Sequence, residues 1–168
     1  MELLLVASIT FIALVGAYNL YETSLGTHRI SDEQLRAQEI ARRNLFLTSK
    51  NIRQSKEIRL AQDNLIEIKS DIDDDEIGEV VRFFLQDSEF YQTVEGGSSR
   101  KLADCVRNQT LGRPIFIYYD LNHAEINPTD PKILTHTRSI KIRLVIDVNE
   151  KEPPPAYTLE SEVKLRNL

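Results

Sequence analysis

The densest group of side chains able to do chemistry in this sequence is acidic: Asp71-Ile72-Asp73-Asp74-Asp75-Glu76. Carboxylates at alternating positions suit a hard cation, because calcium gathers about six to eight oxygens. Asp71, Asp73 and Asp75 are therefore the calcium candidates. Laid over an EF-hand loop, however, Glu76 falls where the turn glycine belongs and Arg82 falls where the distal bidentate glutamate belongs. With both defining positions wrong, the segment reads as a solvated acidic turn between two strands, since turns collect aspartate. No metal or other cofactor is expected. The remaining reactive residues are scattered: His28, His123 and His136 are far apart in sequence, and Cys105 is the sole cysteine. There is no H-E-x-x-H, no G-x-S-x-G and no phosphate-binding glycine loop. The expectation is a protein that is not an enzyme. Asn108-Gln109-Thr110 fits the N-glycosylation triplet, a pattern common by chance, and no function is attached to it. One acid is notable for its setting instead of its neighbours: Glu2 heads a run, Leu3 to Leu20, that contains no charged side chain.

The elements that hold these residues begin with that run. As a helix rising ~1.5 Å per residue it covers roughly 27 Å, close to the ~30 Å hydrocarbon thickness of a bilayer. A secretory signal would open on a basic region, whereas this chain opens Met1-Glu2, although Val15-Gly16-Ala17 has the small residues of a cleavage site. A buried core helix of such uniform apolarity is out of scale for a small domain. A membrane anchor is the reading that remains. The first basic residues, Arg29, Arg36, Arg42 and Arg43, all follow the run, so the positive-inside rule alone would leave the rest of the chain in the cytoplasm. A basic leader upstream of Met1, ending in Gly and removed on maturation, reverses that orientation and is expected of the natural precursor.

Composition narrows the class further. Charged residues make up 28% and hydrophobic ones 41% of the 168 residues, a balance that suits one folded domain with an appendage. A net charge of -5 opposes long-range attraction of a phosphate backbone, so nucleic acid is not an expected partner. With only Cys105, no intrachain disulfide forms and stability must come from packing.

Past Leu20 the chain turns polar without an obvious end to the helix. Gly26 is a weak point, and Ser31 with Gln34 forms a capping-box pattern able to start a separate helix. Ala37, Ile40, Ala41, Leu45 and Ile52 share one broad helical face, with Leu35 and Phe46 off it as candidates for contact with other subunits. From about Lys56 the periodicity becomes alternating. Strands are predicted at 57–61, 64–68, 79–85, 90–94, 114–119, 139–148 and 157–165, with a Gly96-Gly97-Ser98-Ser99 turn and a stiff Lys151–Pro155 hairpin connection. The fold class is α+β: a long N-terminal helix, apolar in its membrane half (1–22) and amphipathic in its outer half (23–55), packed on a mainly antiparallel sheet in a β-rich domain (56–168).

Met1-Glu2-Leu3-Leu4-Leu5-Val6 resembles the start of a type IV pilin, in which a cleaved basic leader precedes a short hydrophobic stretch, one glutamate and a long apolar helix. Ala41-Arg42-Arg43, Lys50-Asn51-Ile52-Arg53-Gln54-Ser55, the acidic turn with Glu79-Val80-Val81-Arg82-Phe83, Ile115 to Asp120 and the ending Val163 to Asn167 are similar to J-type minor pseudopilins and related minor pilins. The leader and first mature residues of that pattern are not in this sequence. The resemblance implies a subunit of the inner membrane with an extracytoplasmic C-terminal domain, processed by a prepilin peptidase. It would join other minor and major pilins or pseudopilins on an inner-membrane assembly platform, to begin or cap a periplasmic or extracellular filament. Type II secretion filaments, type IV pili and DNA-uptake filaments all fall within it. For Glu2 it implies an inter-subunit role, pairing with the N-terminal amine of a neighbour. The alternative of another class is a monomeric single-pass membrane protein whose β-rich domain senses or binds a ligand.

Overall fold

The structure, a computed structural model, describes residues 2–72, 78–151 and 154–165, with the side chains of residues 2–5 and 27 excepted. Its first element is one unbroken helix, α1 (Glu2–Gln54), 53 residues and ~80 Å long. No proline interrupts the stretch, and Gly16 and Gly26 lie inside it with open space where a Cβ would stand. The helix runs on through Gly26, the weak point noted in the sequence. Gln34 does not complete a capping box either; it is buried and turned toward the domain. The helix stops at Ser55, whose hydroxyl and amide both donate to the Ile52 carbonyl.

Two antiparallel sheets follow, where one was expected. The first is a meander in chain order, β1 (Glu57–Ala61), β2 (Leu65–Ser70), β3 (Glu79–Gln86), β4 (Glu89–Val94) and β5 (Arg100–Ala103). The second has the order β7-β6-β8-β9, built from β6 (Phe116–Tyr119), β7 (Glu125–Ile126), β8 (Ser139–Ile146) and β9 (Tyr157–Lys164), with a short α2 (Ile133–His136) before β8. The α+β class with a long N-terminal helix and antiparallel strands holds. In β8, Ile140, Ile142, Leu144 and Ile146 are fully buried, as their alternation predicts. The strand pairs along its whole length with β9, whose start lies beyond the proline-rich connection.

The core sits between the sheets and under α1. Phe83 and Phe90 stack within the first sheet at 6.3 Å, and Phe90 meets Phe116 of the second at 6.2 Å, so aromatic rings tie the two layers together. Polar links reinforce the join: the Ile115 and Phe116 amides donate to the Asp63 carbonyl, and the buried Tyr118 hydroxyl donates to the Gln62 carbonyl at 2.9 Å. Burial in this apolar setting pushes the Tyr118 phenol far above its ordinary range. Ala37, Ala41, Leu45 and Ile52 bury against the domain as expected, but Ile40 stays 50% exposed. The buried stripe is centred on Ala37, Ala41, Asn44 and Thr48, and Ile40 lies at its rim.

Candidate functional site

The feature that most needs a partner is the first half of α1. Every described side chain from Val6 to Arg29 is exposed, among them Val6 at 61%, Phe11 at 66%, Ile12 at 70% and Leu20 at 73%. Because these residues follow one another along a helix, they point in all directions and form no single stripe. Hydroxyls within the stretch are satisfied locally: Thr10 donates to the Val6 carbonyl and Thr23 to the Asn19 carbonyl. Tyr18 donates to Glu22 at 2.8 Å, at the point where charge first returns. Among the described residues, no helix is long and apolar enough to cross a membrane. The apolar run begins at Leu3, Leu4 and Leu5, whose side chains lie outside that set.

Where the helix meets the domain, its contacts are largely polar. Gln34 is the first buried residue, and its amide spans the end of β8: Nε2 donates to the Ile146 carbonyl at 3.0 Å and Oε1 accepts from the Val148 amide at 2.9 Å. A side-chain amide thus continues the strand ladder where backbone partners run out. Asn44 donates to the Leu102 carbonyl on the edge strand β5, Ser49 pairs with Ser161 of β9 at 2.9 Å, and Ser70 donates to the Asn51 carbonyl. The helix therefore clamps the first sheet to the second.

Of the residues singled out by sequence, Glu2 lies in the first turn of α1, with its side chain outside the described set. Asp71 closes β2 and is half-buried, while Asp73 and Asp75 lie outside the described residues. Among the described residues, no group of three or more histidine, cysteine or acidic side chains converges as a metal site would need. The histidines remain apart: His28 lies on the projecting helix, His136 in α2, and His123 in the turn after β6, stacked on Tyr119 at 4.5 Å and 3.6 Å from Glu162. Burial, helped by Asp104, raises the Cys105 thiol above its ordinary range, which keeps it in the less reactive protonated form. On the open face of the first sheet, hydrogen bonds from Lys101 and then Tyr91 hold the Glu89 carboxyl below its usual range.

Asn108, whose triplet carried no function in the sequence, has a structural role. It is fully buried, its Nδ2 donates to the Arg143 carbonyl at 2.8 Å and its Oδ1 accepts from the Val145 amide at 2.8 Å. A side chain so enclosed is not a glycan acceptor. It substitutes for a strand beside the last residues of β8, which β6 is too short to reach. Compared with protein-family profiles, curated proteins and solved structures, the chain matches none.

Proposed function

We propose that this protein is a membrane-anchored minor pilin or pseudopilin subunit that helps to initiate or cap a type IV pilus-like or type II secretion filament. The observation that carries the reading is the start of α1, where the described side chains from Val6 to Tyr21 carry no charge, are exposed on every side and are uncovered by their own domain. Surface of that kind is costly in water at ~25 cal/mol per Å² and marks an interaction site when contiguous. Lipid solvates it in the free subunit, and identical helices of neighbouring subunits solvate it after assembly. Leu3 to Leu5 complete the span. On this reading the β-rich domain lies outside the inner membrane, no catalysis is required of it, and the partners are other pilins or pseudopilins, the assembly platform, a prepilin peptidase and the bilayer. The sequence resemblance at Glu2 and along the outer helix supports the same assignment.

The test is cysteine crosslinking in native membranes, with Ile9→Cys in a Cys105→Ser background. A ladder of crosslinked species containing other filament subunits is expected. A chain that stays monomeric under every condition would instead support the single-pass sensor or binding protein.

A further inference from the structure

The docked half of α1 carries a second surface that the domain does not use. From Ile40 to Gln54 the sequence contains no acidic residue, yet it holds Arg42, Arg43, Lys50 and Arg53. All four are exposed, and among the described residues none makes an ion pair or a side-chain hydrogen bond. Arg43, Phe46, Lys50 and Arg53 follow one another at steps of three and four, which places them on one stripe ~15 Å long. Phe46 stands in the middle of it at 72% exposure, with Leu47 beside it. Like charges so spaced repel one another in the free molecule. Elsewhere on the molecule some cations are neutralised locally, Arg29 by Glu33 earlier on the same helix and Arg82 of β3 by Glu67 of β2.

We propose that this stripe is a docking site for an acidic protein segment, one that sets carboxylates against Arg43, Lys50 and Arg53 and covers Phe46 with an apolar side chain. Charge complementarity selects the sign of the partner, and the unpaired state of the cations means that binding breaks no existing ion pair. The aromatic centre favours protein over nucleic acid, because Phe46 and Leu47 offer apolar area for a side chain to bury and form a convex ridge, not a channel that tracks a backbone. This surface is separate from the projecting half of α1, so the inference stands or falls independently of membrane insertion.

The experiment uses the full chain in detergent micelles and a labelled synthetic helical peptide with glutamates at i, i+4 and i+7 around a central leucine. Binding is followed by fluorescence anisotropy. A peptide with glutamine at those places serves as control, and a short single-stranded oligonucleotide is the competing class. The glutamate peptide is expected to bind at least about tenfold more tightly than its glutamine counterpart, and to lose that advantage at high salt. R43E/K50E should abolish the preference, R43K/K50R should retain it, and Phe46→Ala should weaken the glutamate peptide. Equal binding of the two peptides, insensitivity to R43E/K50E in a chain whose circular dichroism is unchanged, or tighter binding of the oligonucleotide would each overturn the proposal.

Discussion

Asn108 shows how one buried amide can stand in for missing strand. Its two short hydrogen bonds satisfy the Arg143 carbonyl and the Val145 amide, while the nearby backbone of Arg107 and Ile115 completes the edge of β8 through the Val145 carbonyl and the Arg143 amide. Removing the side chain leaves both backbone groups buried and unpaired, and a lost buried partner costs about 1–3 kcal/mol per group. Asn108→Ala is therefore expected to lower stability by about 2–4 kcal/mol, read as a reduced urea midpoint at unchanged slope. Thr110→Ala destroys the same sequence triplet but removes only an exposed side chain, and should leave the unfolding free energy within about 0.5 kcal/mol of the parent. If the two variants behaved alike, the role assigned to the Asn108 amide would be wrong. The triplet was legible in the sequence. The burial that decides its meaning was not, because it depends on β8, which comes more than thirty residues later.

At the scale of elements, the docked half of α1 and β8 could be read from periodicity because each turns regularly spaced apolar residues into the core. The short pieces escaped: β7 has two residues and α2 four, too few for any period to register, and half of β5 is exposed. The split into two sheets was also hidden, since strand order depends on contacts between distant segments and local alternation is the same in either arrangement. Gln34 was misread for a related reason. Spacing alone would have found it, for it lies three residues before Ala37 and seven before Ala41 on the buried stripe, but a glutamine carries no apolar signal. Its position where the projecting part of α1 meets the domain makes it the clasp between helix and domain. Gln34→Ala should free the Ile146 carbonyl and the Val148 amide, and speed hydrogen exchange at Val148 by about tenfold, the equivalent of ~1.4 kcal/mol. Exchange at the unchanged rate would mean that packing, not this amide, seats the helix.

The whole molecule is a rod and a head, and the rod's far end is where assembly would act on it. A carboxylate at the start of a helix is favoured by the helix dipole, and near the edge of a bilayer it still reaches water, so on the proposed reading Glu2 would cost the free subunit little. Within a bundle of packed apolar helices that water is gone. An unpaired charge there costs several kcal/mol, so a counter-charge is needed, and the resemblance to pilins implies the N-terminal amine of the adjacent subunit. Because the clamp of α1 on the two sheets begins at Gln34, ~48 Å along the helix from Glu2, a change at Glu2 leaves the head untouched. On the proposed reading, Glu2→Gln would keep the shape, remove the charge and leave the neighbouring amine without its partner. The variant should stay folded and membrane-inserted while its share of the sheared-filament fraction drops by about tenfold, what a loss of ~1.4 kcal/mol in assembly free energy amounts to. The measurement is the partition between membrane and sheared-filament fractions against the parent chain, with thermal melting of the head as the folding control. Equal incorporation would remove Glu2 from the mechanism, whereas loss from the membrane fraction would place its role at insertion and not at the contact between subunits.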